Sequence, residues 1–208
     1  MSRLIVFGCS YTYGQGLSDC LNSKFLDIYP PFPSKLGWAQ QLADKLNLEL
    51  INKSYPSASN FEILFTLLEF KFQSNDTVII MWSHYLRDMI FTRWFKSLFF
   101  RRRLGVWKKT SIAIKWIDQM SERDYAMKTW VYMHHAGLYL ENLNLRYMHY
   151  PADPWELEKY NNNDIKLNNL YKNGFVYIDK ALDDSHPGLL SNKLVAENMY
   201  QIINSMSS

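Results

Sequence analysis

The chain has 208 residues and a formal net charge of +3, with 16% aromatic and 21% charged residues. That length suits one domain with a sizeable core, and the composition excludes a disordered chain and a membrane bundle. Two cysteines, Cys9 and Cys20, exclude a disulfide-rich scaffold and give no zinc-binding spacing.

Residues 3–7 form a short apolar, β-branched run stopped by Gly8, which reads as a buried first strand. Residues 9–33 are rich in Gly, Ser, Tyr and Pro and read as a long loop. Ser34 can cap a helix to about residue 47, with Leu36, Ala39, Leu42, Ala43 and Leu46 on one face. Residues 48–51 read as a second strand. Ser59-Asn60-Phe61-Glu62 has the form of a capping box and opens a helix to about residue 70. Residues 77–82 are an unbroken apolar run, as a central strand requires. Residues 121–142 are helical in pattern, 145–150 and 175–178 are strand candidates, and 188–203 close the chain as a helix. Strands apolar throughout, alternating with helices, predict a parallel sheet covered on both faces. Ligands in such folds sit beyond the carboxyl ends of the strands. The chemistry is therefore expected after Phe7, Asn52, Trp82 and Ile178. No uncharged run reaches the ~18–20 apolar residues of a membrane span. The amino-terminal run is too short for a signal-peptide core, so a cytoplasmic location is expected.

The first strand runs into Gly8-Cys9-Ser10-Tyr11-Thr12. A serine at such a turn displays its hydroxyl at the sheet edge, but it acts as a nucleophile only beside a base and an orienting acid. Asp183-Asp184-Ser185-His186 precedes the last helix, and its spacing lets one loop present both an imidazole and a carboxylate. Either motif alone is ordinary turn chemistry; their joint placement, one after the first strand and the other before the last helix, is more specific. Cys9 has a second reading as a thiol nucleophile, which would need a lowered pKa, and a third as a small buried apolar residue. His134 and His135 point about 100° apart on a helix, unlike a metal pair at i, i+4. The chain has no phosphate-binding Gly-Lys-Ser/Thr, and Gly14-Gln15-Gly16 lacks the third glycine of a dinucleotide loop. No metal or cofactor is expected.

Gly8-Cys9-Ser10-Tyr11-Thr12 with Asp183-x-x-His186 resembles the SGNH (GDSL-like) hydrolase family, in a divergent form, and the order of elements fits over most of the chain. The resemblance implies a flavodoxin-like three-layer α/β/α sandwich with a parallel sheet of about five strands. It implies a serine esterase releasing a small O-acyl group, acetyl foremost, from a hydroxyl-bearing and possibly carbohydrate substrate. Ser10 would be the nucleophile, His186 the base and Asp183 its orienting partner. The family's oxyanion hole takes the N–H of the nucleophile, a glycine N–H after the second strand and an asparagine side chain after the third. Here the glycine position falls on Ser57, and the third block reads Trp82-Ser83-His84-Tyr85-Leu86-Arg87 without asparagine. Ser83 or His84 would donate instead. Tyr11, Asn60, Trp82 and Arg87 are candidate substrate contacts, with Asn60 read chiefly as the start of its helix.

The charge is uneven along the single domain expected for 1–208. Residues 89–117 hold eight basic residues, seven aromatics and no acid, while the rest carries 15 basic and 20 acidic residues. This block reads as an insertion forming a lid or cleft wall, or more simply as a helix with a solvated basic face. Arg101, Arg102 and Arg103 would suit an anionic partner such as nucleic acid, an anionic glycan or a membrane surface. The competing function is therefore a catalytically impaired binding module on the same fold.

Overall fold

The computed structural model describes residues 2–21, 31–94, 98–104, 121–160 and 167–205. In chain order the elements begin with β1 (Arg3–Phe7), α1 (Ser10–Tyr13), α2 (Trp38–Leu46), β2 (Glu49–Asn52), α3 (Asn60–Leu68) and β3 (Thr77–Trp82). They continue with β4 (Asp88–Trp94), β5 (Leu98–Leu104), α4 (Glu122–Asn142), β6 (Arg146–Pro151), α5 (Pro154–Glu158) and α6 (Leu189–Ser205). Strands β2, β1, β3 and β6 pair in that order, all parallel.

The strands are apolar throughout because both faces are covered. Alternation divides their side chains. Ile5, Phe7, Val78, Ile80 and Trp82 pack with Ile63 and Leu67 of α3 and with Trp130, Met133 and Leu140 of α4. Leu4, Val6, Ile79 and Met81 pack with Trp38 and Leu42 of α2 and with Val195 and Met199 of α6. The result is a three-layer α/β/α sandwich. Truncating a core leucine such as Leu42 or Leu67 to alanine should cost about 2–5 kcal/mol.

The expected fifth strand at 175–178 is not formed. After Gly174, which takes φ 64°, the Phe175 N–H bonds to the Ala152 carbonyl, but those of Ile178 and Asp179 go to the Ser191 hydroxyl. These donors leave no ladder for a strand. The edge of β6 is instead met upstream, by a single parallel bridge between His149 and Leu170. The helix expected from Ser34 starts later, at Trp38. Asp19 binds the Ser34 hydroxyl and the Lys35 N–H, and Asn192 of α6 accepts from the Trp38 N–H. The basic block is not a helix where it is described: β4 and β5 form an antiparallel hairpin running from Asp88 opposite Leu104 to Trp94 opposite Leu98. Its β-branched and aromatic residues suit strands. Arg101, Arg102 and Arg103 lie on β5, and the rest of the block, at 95–97 and 105–117, lies outside the described residues.

Among the described residues, no helix is long and apolar enough to cross a membrane. The sheet order has one functional consequence. β2 and β3 flank β1 on opposite sides, so the chain reverses its direction of winding between β1 and β3. Loops leaving the carboxyl ends of those two strands diverge and open a crevice.

Candidate active site

Cys9 precedes the single turn of α1, and Ser10 is its first residue. The turn must be tight, since a Cβ on Gly8 would collide with the Thr12 side chain. Thr12 anchors α1 from two sides. Its hydroxyl reaches Met81 Sδ of β3 at 2.9 Å, and its carbonyl accepts from Nδ2 of Asn52, the last residue of β2, at 3.0 Å. Ser10 is only 2% exposed.

Asp183 and His186 are brought together. The His186 Nδ1 lies 2.6 Å from Asp183 Oδ2, and Asp183 Oδ1 accepts the N–H groups of Ser185 and His186. Burial pushes the Asp183 carboxyl up, but these hydrogen bonds outweigh it and hold its pKa below the ordinary value. With Nδ1–H donating to the carboxylate, Nε2 is left as the basic nitrogen. The loop is fixed from outside as well. Its backbone bonds reach Gly16 through Leu182, and the Tyr177 hydroxyl donates to the His186 carbonyl. Gly16, at φ 88°, lies so close that a Cβ there would stand 2.6 Å from the Asp183 carboxylate.

No hydrogen bond joins Ser10 to His186. The two segments meet through the next residue, Tyr11, whose ring lies edge-on to His186 with centroids 6.0 Å apart and to Phe175 at 5.1 Å. Burial is the main force raising the Tyr11 phenol above its usual range; Cys9 and Asp153 add to it and Arg87 opposes.

Ser57, standing at the expected glycine position, takes φ 61°. The left-handed turn that favours glycine is thus made with serine. The segment is tied to the first turn by the Tyr55 N–H, which donates to the Gly8 carbonyl. In the third block Asn60 clamps Ser83: its Oδ1 accepts the Ser83 N–H at 2.7 Å, and its Nδ2 donates to the Ser83 carbonyl and to Thr129. Asn60 is 1% exposed, and its side-chain amide is taken up by Ser83 and Thr129. The Ser83 hydroxyl itself is buried and has no hydrogen-bond partner among the described residues. The His84 Nδ1 accepts the Leu86 N–H, which puts the proton on Nε2, 3.8 Å from Asp153.

Trp82, entertained as a substrate contact, is fully buried and cannot serve as one in this arrangement. Its indole N–H donates to His149 Nδ1 at 3.1 Å. Burial pushes the His149 imidazole down to about 3, so it stays neutral.

A cavity of about 210 Å³ opens at the crevice, lined by Cys9, Tyr11, Ser83, His84, Arg87, Ala152 and Asp153. Cys9 and Tyr11 flank Ser10 in sequence, and Ser83 to Arg87 follow β3. Ala152 and Asp153 were not anticipated. They follow β6 directly, and the rule that ligands sit at carboxyl strand ends applies to that end too. A cavity of about 360 Å³, lined by Gly8, Lys53, Tyr55, Glu62 and residues around them, lies against α3.

No protein-family model and no curated protein sequence matches the chain. Solved structures do. A carbohydrate esterase, described as having an active site with divergent catalytic and non-catalytic binding functions, superposes over 98% of this chain with TM-score 0.60 and 14% identity. An acetyl xylan esterase from the rumen bacterium Butyrivibrio proteoclasticus does so over 99%, with TM-score 0.59 and 11% identity. The chain spans only 65% and 64% of those two proteins. TesA matches over 97% of both chains, with TM-score 0.57 and 13% identity. These likenesses accord with the resemblance carried by Gly8-Cys9-Ser10-Tyr11-Thr12 and Asp183-x-x-His186, and the chain has the fold of the SGNH-type esterases.

Proposed function

We propose that the protein is a serine esterase that removes a small acyl group, with acetyl the smallest case, from a hydroxyl-bearing substrate. Ser10 attacks the ester carbonyl while His186 Nε2 takes its proton. Asp183 holds the imidazole in the required tautomer and stabilises the imidazolium that forms. The N–H groups of Ser10 and Ser57 and the hydroxyl of Ser83 are the donors for the tetrahedral oxyanion, a contribution that is commonly the largest in such reactions. His186 then returns the proton to the leaving alcohol, and water activated by the same nitrogen releases the acyl group from Ser10.

The observation that carries this reading is the Asp183–His186 pair at 2.6 Å, its carboxylate fixed by two backbone N–H groups, on the same sheet edge as Ser10. The esterases among its structural neighbours agree with it. The test is labelling with a fluorophosphonate probe together with hydrolysis of a short-chain aryl ester. Wild type should label and hydrolyse, and Ser10→Ala should do neither. An unlabelled wild type, or a fully active Ser10→Ala variant, overturns the proposal.

A second reading is favoured by the third block, where no asparagine follows β3 and Ser83 has its backbone N–H taken by Asn60. On that reading the fold is a binding module, and the basic stretch with Arg101, Arg102 and Arg103 engages an anionic partner. It predicts no labelling, with binding to nucleic acid, anionic glycan or liposomes that weakens steeply with salt.

A further inference from the structure

The Asp183 carboxylate fixes one atom of the His186 ring. Its bond at Nδ1 sets the distance of that nitrogen, but the ring torsion of histidine is soft, and Nε2 on the far side moves most when the ring tilts. The bonds from Leu182 to Gly16 and from Tyr177 to the His186 carbonyl hold the backbone of the loop and not the imidazole. The His186 side chain is nevertheless only 15% exposed, so it is packed as well as bonded. The ring set against it is that of Tyr11, which crosses it at 83° with centroids 6.0 Å apart. Aromatic rings favour such crossed arrangements at this separation.

Tyr11 is itself held from behind. The Phe175 ring crosses it at 62° and 5.1 Å, and Phe175 stacks on Tyr150 at 18° and 6.3 Å. Tyr150 is 1% exposed, donates its hydroxyl to the Gly174 carbonyl and is crossed in turn by Trp38. A column of rings therefore runs from the core of the sandwich to His186. Tyr11 also follows Ser10 directly in α1, the turn that Thr12 ties to β2 and β3. One anchored turn thus carries both the serine and the ring against which the imidazole rests.

We propose that Tyr11 is a positioning residue, whose ring registers the His186 imidazole against the turn that carries Ser10 and so keeps Nε2 directed at the serine hydroxyl. The inference rests on the serine esterase reading for the reaction it serves, but not for the contact itself. The step served is the transfer of the Ser10 proton to Nε2 as the serine oxygen bonds to the acyl carbon. The ring does this work, and the phenol hydroxyl does not. Tyr11 also lines the cavity of about 210 Å³, so the rival role is a wall for the acyl group. The two roles differ in what they do to kcat and KM.

The test compares wild type, Tyr11→Leu and Tyr11→Phe in hydrolysis of an aryl acetate and an aryl butyrate, in the rate of fluorophosphonate labelling, and in the proton NMR resonance of the His186 Nδ1–H. Tyr11→Leu should lower kcat by about 10–100-fold on the pH plateau, the scale expected when a reacting group is misplaced by up to about 1 Å. KM should stay within a few-fold, the loss should be equal for the two esters, and labelling should slow in step. Tyr11→Phe, which keeps the ring, should restore most of the loss. The Nδ1–H resonance should be sharp in wild type and Tyr11→Phe and broadened by exchange in Tyr11→Leu. Phe175→Leu, one ring further from the base, should show a smaller loss of the same kind, and it decides the matter if Tyr11→Leu does not fold. Unchanged kcat in the leucine variants, a loss reproduced by Tyr11→Phe, or a loss carried by KM that grows with acyl length overturns the proposal and leaves the esterase standing. If wild type neither labels nor hydrolyses, the esterase reading falls and the resonance decides. Broadening confined to the leucine variants then upholds the contact, and equal sharpness in every protein overturns it.

Discussion

The two sides of the cleft are built on different terms. On the histidine side nearly every polar group has a partner. Asp183 accepts two N–H groups and the imidazole, the His186 carbonyl accepts from Tyr177, and Asp179 takes the N–H groups of Leu190 and Ser191 at the start of α6. On the opposite side stand a serine hydroxyl buried without a partner among the described residues, at Ser83, and a serine at φ 61°, Ser57. A buried polar group left unpaired costs about 1–3 kcal/mol. The contrast teaches which groups are used in holding the loop and which are not. On the proposed esterase reading the paired side is a preorganised base, and the open side keeps donors for charge that develops during reaction.

The largest effect should come from breaking the paired side. His186→Ala removes the proposed base and should lower kcat by about 10⁴-fold or more, as removal of a triad member does elsewhere. Asp183→Ala should cost somewhat less, about 10³–10⁴-fold. Steady-state hydrolysis of an aryl ester measures both. Equal losses in kcat and kcat/KM would place the defect in the transition state. The pH dependence has a definite sign. Because the folded pKa of Asp183 lies below its ordinary value near 3.9, the pair contributes stability above that value and loses it as pH falls through the lower folded one.

Ser83→Ala separates the two sides most sharply. If the hydroxyl serves the oxyanion, kcat should fall by about 10–10³-fold. Removing an unpartnered buried hydroxyl should leave stability unchanged or raise it slightly. A variant that is fully active and less stable would reverse that assignment and make Ser83 merely structural.

The open side is open only toward the cleft. From within the sheet, Trp82 is anchored by its hydrogen bond to His149, whose remaining ring nitrogen, Nε2, is buried without a partner among the described residues. Burial dominates the depression of its pKa to about 3, with Glu141 opposing. In the unfolded chain the imidazole titrates near 6.5. Between those values the unfolded state binds a proton that the folded state does not. Stability should therefore fall with decreasing pH across that interval, by up to about 1.4 kcal/mol per pH unit from this group. Urea melts at pH 7 and pH 5 on wild type and His149→Gln measure it. A pH dependence identical in the two proteins would mean that His149 is protonated in place.

Much of this was legible in the sequence because apolar runs and turn residues report burial and backbone conformation. The buried runs at residues 3–7 and 77–82, and the capping box at Ser59, correspond to β1, β3 and the start of α3 as read. The Asp183-x-x-His186 turn was readable because both members come from one loop. The rest depends on partners far apart in the chain. The run at 175–178 looks like a strand until the Ser191 hydroxyl takes the N–H groups of Ile178 and Asp179. Asn60 looks like a helix start with a free amide until Ser83, 23 residues on, occupies it. Arg87 and Ala152 share a wall only because β3 and β6 are neighbours, and no local pattern encodes that adjacency.

The smallest effect tests the backbone of the open side. A non-glycine residue in the left-handed region is strained by roughly 1–2 kcal/mol, although glycine returns part of that through its greater freedom when unfolded. Ser57→Gly should therefore raise stability by no more than about 1 kcal/mol, visible as a small upward shift in the denaturation midpoint. The same substitution leaves a backbone N–H in place, so an oxyanion donor at this position should survive it with kcat within a few-fold of wild type. Ser57→Pro removes that N–H and should cost about 10²-fold in kcat. Equal activity in the glycine and proline variants would show that the turn at Ser57 serves the fold alone. The oxyanion would then depend on Ser10 and Ser83.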